Sequence, residues 1–380
     1  MKNKIFIIIV ICSTAFGVFT AFKSPKETNI KKYDSQTFSL QNFSDNLQTA
    51  LNGKTMGYGF VIYGGANEKP DIVYTHGLKR TKKDGGNLPF DYTSRMHIAS
   101  MSKTLTAIAS IQLLMENNLP VNTLIKDYLP ANWERGRNID KLTFKDLLTH
   151  MSGIRANGQE KCSGESYEQL ECKIKQGVNP DSMYVYSYQN MNFALLRILI
   201  PKLEGFEHLE KNNDTSTAFK YIRYVKRNVI NRSDPVNEPI CYPEKSENVY
   251  YYNWPYGKGH GQRFYNYAQV CGAYGWYISV LDYGKIIHKL FYSDDILKSA
   301  WRDTMTSGSL GCYTYGGKHG GYFWHNGGWD WTDNNGSGKM NSCWMYFPDG
   351  VIAVAIVNSD IPGWWPDIMA HAYDKAWKKK

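Results

Sequence analysis

The stretch His97–Ile98–Ala99–Ser100–Met101–Ser102–Lys103–Thr104–Leu105–Thr106–Ala107 constrains this chain more than any other. After it, Leu105, Ile108, Ala109, Ile111, Leu113, Leu114 and Met115 recur at helical spacing, uninterrupted by Gly or Pro. The pattern predicts a buried helix with Ser100 in its first turn and Lys103 one turn on, on the same face. A serine hydroxyl is a weak nucleophile unless a base stands close and the developing charge is stabilised. A helix N-terminus offers free N–H groups and positive potential. An amine among apolar neighbours has its pKa lowered by desolvation, so Lys103 is placed to accept the serine proton. The plain structural alternative makes Ser100 an N-cap and Lys103 a solvated helix residue. No other serine in the chain begins an S-x-x-K.

With 380 residues, 42% hydrophobic and 21% charged, the chain excludes wholesale disorder and suffices for one large or two moderate domains. The net charge of +9 is scattered, and its one dense cluster is Lys378–Lys380. That pattern is a solvated surface, not a nucleic-acid groove. Met1–Lys4 is a short basic lead, Ile5–Cys12 is apolar, and Ser13–Ala21 mixes small and apolar residues. Residues 1–21 are therefore expected to be a secretory signal peptide, cleaved after Ala21 or Gly17. Cys12 invites a lipoprotein reading, against which Ile11 is bulky where a small residue is wanted. An uncleaved anchor is the other alternative, since the apolar run almost reaches spanning length, and it is the one route to membrane contact. The expected location is exported, periplasmic or secreted.

Export changes how the cysteines read. Cys162, Cys172, Cys241, Cys271, Cys312 and Cys343 remain, an even number suited to disulfides in an oxidising compartment. None has the paired spacing of a zinc site. Order along the chain points to Cys162–Cys172, Cys241–Cys271 and Cys312–Cys343, with other connectivities open.

Residues 22 to about 38 read as a loose polar leader, and Phe38–Leu51 as an amphipathic helix. Gly57–Tyr63 and Asp71–Thr75 read as a hairpin. Thr143 is placed to cap a short helix ended by Gly153. "IASMSKTLTA", "LMENNLPVNTLIKDYLP" and "KLTFKDLLTHMSGI" then stand in an order and spacing that resembles the serine β-lactamase and penicillin-binding-protein superfamily, in its class C β-lactamase, DD-peptidase and esterase branch.

The resemblance implies an α+β fold: an antiparallel sheet built from both chain ends, flanked by helices, with a mostly helical region inserted. The corresponding divisions are 22–95, 96–305 and 306–380. It also implies a second box, Y-x-N, opening a helix. Tyr188 and Asn190 fit it, and an apolar helical run follows them; Tyr251–Asn253 is a second literal match in an aromatic loop. The third box, K-T-G or H-x-G on a strand, has two candidates. His325–Asn326–Gly327 ends a predicted strand and is preferred; Lys318–His319–Gly320 lies in what reads as a turn. By resemblance, the N–H groups of Ser100 and Gly328 form the oxyanion hole, Asn190 orients the substrate or Lys103, and His325 and Gly327 line the substrate site. A lysine in the third box would hold a substrate carboxylate permanently, whereas a histidine is mostly neutral near pH 7. The preferred box therefore leans toward esters or amides not recognised through a carboxylate.

Arg155–Pro180 reads as a polar rim loop, and Gly328–Met340 as a long loop or exposed hairpin near the cleft. The aromatic run Tyr250–Tyr265 reads either as rings packed under a loop or as a cleft wall with Lys258, His260 or Arg263 as a polar handle. A last helix is expected from about Trp365 to Trp377. The implied activity is acyl transfer through Ser100, with Lys103 and Tyr188 sharing the proton, on a small-molecule or peptide substrate. No metal or organic cofactor is implied. The alternatives are a DD-peptidase or β-lactamase, and a non-catalytic binding protein that keeps the fold.

Overall fold

The computed structural model describes residues 36–156, 162–206, 214–242, 249–257, 259–263, 265–333 and 336–379. The expected signal peptide, residues 1–21, lies outside these, as do most of the leader and Lys258. In chain order the elements are β1 (Gln36–Phe38), α1 (Leu40–Leu51), β2 (Gly57–Tyr63), β3 (Ile72–Arg80), β4 (Leu88–Pro89) and β5 (Met96–His97). Then come α2 (Ser102–Glu116), α3 (Phe144–Leu148), α4 (Tyr167–Gln176), α5 (Asn190–Leu203) and α6 (Asp214–Val225). The chain continues with β6 (Tyr277–Ile278), α7 (Val280–Tyr292), α8 (Ser299–Ser307), β7 (Tyr313–Gly317) and β8 (Gly320–Asp333). It closes with β9 (Gly336–Tyr346), β10 (Ile352–Val357), α9 (Trp365–Asp374) and β11 (Trp377–Lys379).

Seven strands form one antiparallel sheet in the order β4-β3-β2-β10-β9-β8-β7. Early and late strands meet where β2 pairs with β10, Tyr58 opposite Val357 and Tyr63 opposite Ile352. This is the α+β fold expected from the sequence. Successive side chains of a strand point to opposite faces. Val61, Tyr63, Ile352, Val354 and Ile356 join the core under the helical region. Phe60, Ile62, Ala353, Ala355 and Val357 join the core under α1 and α9. A strand covered on both faces carries a continuous apolar run, as "GYGFVIY" and "IAVAIV" do. On α1, Phe43, Leu47 and Leu51 bury one stripe, and Ser39 caps the helix by accepting from the Asn42 amide at 3.2 Å. Each such burial stabilises by about 1.5–3 kcal/mol.

In the inserted region α2 is buried on all sides, so its polar residues must find partners inside. Thr104 donates to the Gly311 carbonyl at 3.1 Å, Thr106 to that of Gly272 at 2.6 Å, and Ser110 to that of Thr106 at 2.8 Å. The neighbouring helix α5 is tied to α6 by a buried ion pair, Arg197 Nη2 to Asp214 Oδ1 at 2.6 Å. Removing one partner strands the other charge in the core. Asp214→Ala is therefore expected to destabilise by about 3–5 kcal/mol, read as a large drop in thermal midpoint.

Several expectations need correction. The last helix stops at Asp374, and Trp377–Lys379 forms a strand against Gln36–Phe38, so the leader's end is not loose. Trp365, Met369, Tyr373 and Trp377 keep helical spacing, which hid the break; Trp377 instead packs on Phe38 and His319. The rim segment contains α4, with a capping box between Ser166 and Gln169 and a buried stripe of Tyr167, Leu170 and Ile174. Of the two readings of Gly328–Met340 the hairpin holds, since β8 and β9 run on paired with Trp329 opposite Met340 and Trp331 opposite Gly338, but Trp331 and Met340 are buried rather than exposed.

Disulfides join Cys162 to Cys172 and Cys241 to Cys271, with Cα separations of 5.3 Å and 5.9 Å. Cys312 and Cys343 are unbonded and buried. Cys312 belongs to the core on the helical side and Cys343 to the core on the other face, with β8 running between β7 and β9. Burial pushes the Cys312 thiol up to about 12 and the Cys343 thiol well above its ordinary value. Both are expected to resist a thiol reagent in the native protein and to react on unfolding, as peptide mapping of the labelled sites will report.

Candidate active site

Ser100 lies on a tight turn, Ala99–Met101, just ahead of α2 rather than in its first turn. Ala99 takes a φ of +45°, a left-handed value that costs a residue with a side chain about 1–3 kcal/mol. The surroundings hold it there. The Ile98 amide donates to the Trp276 carbonyl at 3.0 Å, Ser342 donates to the Ile98 carbonyl at 2.8 Å, and Tyr283 to that of Met101 at 3.0 Å.

Lys103 is fully buried, yet its ammonium has three acceptors in reach. They are Ser100 Oγ at 3.1 Å, Asn190 Oδ1 at 2.8 Å and the Ala273 carbonyl at 2.8 Å. From 88 residues away, Tyr188 Oη donates to Ser100 Oγ at 2.6 Å. Lys103 Nζ stands 4.9 Å from the centre of the Tyr188 ring. The hydroxyl, amine and phenol thus converge on one oxygen, and Asn190, first residue of α5, grips the amine.

The segment "LLTHMSGI" braces this cluster. The His150 ring lies 4.5 Å from that of Tyr188, and its Nδ1 accepts from the Gln189 amide at 3.2 Å. Ser152 donates to Asn192 Oδ1 at 2.6 Å, in the first turn of α5. The sequence marked the motif without giving His150 a task.

The two third-box candidates separate in space. β7 pairs with β8 only as far as Trp324, so His325–Gly327 continue past the end of that ladder. The Ser100 turn packs there. A Cβ on Gly327 would meet the Ile98 carbonyl oxygen, with Ser342 Oγ at 2.6 Å and the Ser100 amide nitrogen at 3.0 Å. Gly328 is exposed on the same strand, and a Cβ there would meet nothing nearer than 3.6 Å. Lys318 and His319 sit in the β7–β8 turn, with the His319 ring stacked on Trp377 at 4.5 Å. Tyr251, the other Y-x-N match, is buried; its hydroxyl accepts from the His97 amide at 2.8 Å and its ring stacks on Trp331 at 4.6 Å. His260 pairs with Asp84 at 2.9 Å and Arg263 lies over the Tyr250 ring; Tyr250, Tyr251 and Tyr252 are buried, whereas Tyr265 is exposed. Sequence reasoning missed Glu165 and Tyr274, whose side chains meet at 3.4 Å.

Burial, reinforced by the charge of Lys103, depresses His325 to about 3. Burial alone takes His97 to about 3, and burial with Lys103 takes His150 well below its ordinary value. These three imidazoles stay neutral in the fold but protonate near 6.5 once unfolded. Below pH 6.5 the unfolded state therefore binds more protons, and stability falls as pH drops toward 3. The expected result is a thermal midpoint clearly lower at pH 4.5 than at pH 7.

Among the described residues no helix is long and apolar enough to cross a membrane, and no group of His, Cys, Asp and Glu is set to hold a metal ion. Residues 65–364 match the model of the Beta-lactamase family. A stretch of 148 residues is 26% identical to Protein flp of Staphylococcus aureus (strain COL), covering 35% of this chain and 29% of that protein. The chain thus matches less than a third of that relative's length. The fold is similar to the crystal structure of FmtA from Staphylococcus aureus (TM-score 0.64, 17% identity, 88% of each chain covered). It is also similar to a class C beta lactamase from Rhodobacter sphaeroides (TM-score 0.63, 14% identity, 88% of this chain and 98% of that one). With the family match spanning most of the chain and the sheet and helices arranged as in these structures, this protein belongs to the Beta-lactamase family.

Proposed function

We propose that the protein is an exported serine hydrolase that opens an ester or amide through an acyl-enzyme on Ser100. The observation that carries this is the meeting of Lys103 Nζ and Tyr188 Oη at Ser100 Oγ, at 3.1 Å and 2.6 Å. Ser100 Oγ bonds to the substrate carbonyl carbon. Its proton passes to the Lys103–Tyr188 pair and from there to the leaving oxygen or nitrogen as that bond breaks. Water then attacks the acyl-enzyme, gives its proton to the same pair, and Ser100 recovers its own. The N–H groups of Ser100 and Gly328 receive the oxyanion; losing one such donor typically costs about 10²–10³ in rate. Asn190 keeps Lys103 aimed at the serine.

The neutrality of His325 favours substrates whose recognition does not centre on a carboxylate. The two disulfides favour an oxidising compartment and hence export. The test is to treat the protein with a fluorophosphonate and map the adduct by mass spectrometry, alongside p-nitrophenyl acetate turnover. The adduct is expected on the peptide carrying Ser100. Turnover that survives unchanged in Ser100→Ala overturns the assignment. Fast hydrolysis of a chromogenic cephalosporin instead marks a β-lactamase, and absence of both label and turnover marks a binding protein.

A further inference from the structure

We infer that Tyr186 and Tyr313 together bound the leaving-group end of the cleft and set a limit on how long the leaving alcohol or amine can be. This rests on the hydrolase reading above and deepens it with a pair of specificity-determining residues.

The proton path fixes which end this is. The leaving atom collects its proton from the Lys103–Tyr188 pair and so faces Tyr188, whereas the carbonyl oxygen faces the N–H of Gly328. His325 lies three residues before Gly328, about 10 Å back along β8 at the ordinary rise of a strand. From Tyr188 one wall runs outward through two rings. The Tyr188 ring lies 4.5 Å from that of His150, and His150 meets the Tyr186 ring edge-on at 6.3 Å. On the sheet side the His325 ring lies 5.1 Å from that of Tyr313 on β7. The two walls join where Tyr186 Oη donates to Tyr313 Oη at 3.4 Å. One ring comes from the loop ahead of α5 and the other from the last strand in the sheet order, so the pair spans the space beyond the leaving atom.

Both posts are held by backbone. On one side the Tyr184 amide donates to the Met151 carbonyl at 2.8 Å and the Ser187 amide to that of His150 at 2.9 Å, which pins the chain before and after Tyr186. On the other, β7 starts pressed against α2. The Gly311 amide donates to the Leu148 carbonyl at 3.1 Å, and Thr104 donates to the Gly311 carbonyl at 3.1 Å. Gly311 has a φ of +69°, and a Cβ there would run into that of Ala107. The Tyr313 ring is wedged between those of Trp324 at 5.2 Å and His325 at 5.1 Å. Tyr186 is 47% exposed, so it can be trimmed without opening the core. A long contact between partly exposed hydroxyls adds little to stability. Two rings set across the cleft, by contrast, exclude any group that would extend through them, because overlap of packed atoms is costly.

The test uses the acetate esters of phenol, 4-tert-butylphenol and 4-phenylphenol, each rate divided by that of its uncatalysed hydrolysis. The para groups lengthen the leaving group away from the reacting oxygen and barely change its acidity, so length varies while the chemistry is constant. For the wild type, kcat/KM of the 4-phenylphenyl ester is expected to lie at least about tenfold below that of phenyl acetate, with the tert-butyl ester between them. Tyr186→Ala is expected to bring that ratio close to one and to leave phenyl acetate turnover within a few-fold of wild type. Tyr186→Phe keeps the ring and is expected to keep most of the discrimination. A role confined to bracing Tyr188 would lower all three rates alike and leave the ratio unmoved. Equal kcat/KM for the three esters in a wild-type protein that fluorophosphonate labels at Ser100, or a ratio unchanged in Tyr186→Ala, overturns this limit and leaves the hydrolase reading standing. Should Tyr186→Ala not fold, Tyr186→Trp reads the same wall in the other direction, a steeper ratio supporting the limit and an unchanged one opposing it. No labelling and no Ser100-dependent turnover overturns both readings together.

Discussion

Lys103→Met is expected to slow acylation of Ser100 by about two to four orders of magnitude, the range a positioned proton acceptor contributes. Methionine fills nearly the same buried volume, so the loss is chemical rather than steric. Three acceptors depend on the ammonium: Ser100 Oγ, Asn190 Oδ1 and the Ala273 carbonyl. Without it, Tyr188 loses the cation that stands 4.9 Å from its ring and favours its phenolate, and a phenol of reference pKa about 10 is then a poor base at neutral pH. Lys103→Arg is expected to fail as well, because a guanidinium keeps its proton and needs a planar set of acceptors. The measurements are the rate of fluorophosphonate labelling at Ser100 and p-nitrophenyl ester turnover, with the thermal midpoint as control. A labelling rate within a few-fold of wild type in a folded Lys103→Met protein removes Lys103 from the proton path. Stability is expected to fall too, by about 1–3 kcal/mol for each buried acceptor left without a donor.

What the sequence made legible was whatever local pattern alone dictates. The central strands show through because burial on both faces writes an unbroken apolar run at residues 57–63 and 352–357. Ser100, Lys103, Tyr188 and Asn190 were legible as motifs, though nothing in the letters fixes the distances between them. The third box shows the limit. Lys318–Gly320 is the better match in letters to a lysine box, and only the end of the β7–β8 ladder at Trp324 puts His325–Gly327 against the Ser100 turn instead. Glu165 left no local signal at all. It stands in a polar segment between two cysteines, and its contact is with Tyr274, 109 positions further along the chain. The Cys312–Cys343 pairing failed for a related reason: order along the chain says nothing about which face of a sheet a residue joins.

Gly327→Ala is expected to lower turnover by about a hundredfold or more and to destabilise the fold by about 1–3 kcal/mol. The added methyl would run into the Ile98 carbonyl oxygen, with Ser342 Oγ at 2.6 Å and the Ser100 amide nitrogen at 3.0 Å. The first and last of these are backbone atoms of the turn that presents the nucleophile, so they cannot swing aside as a flexible side chain can. Either β8 or the turn has to shift, and the Ser342 hydrogen bond that fixes the Ile98 carbonyl at 2.8 Å lies in the way of both. A displacement approaching 1 Å is enough to spoil attack geometry, because the serine, its proton acceptors and the oxyanion donors must act on one carbonyl at once. Gly328→Ala provides the comparison. It keeps its N–H, and its added methyl meets nothing nearer than Asn341 Oδ1 at 3.6 Å, so its loss is expected to be at least tenfold smaller. Steady-state turnover and thermal midpoints of the two variants side by side decide the matter. If Gly327→Ala turns over as fast as Gly328→Ala, the strand does not press on the Ser100 turn in solution, and His325–Gly327 cannot be the third box.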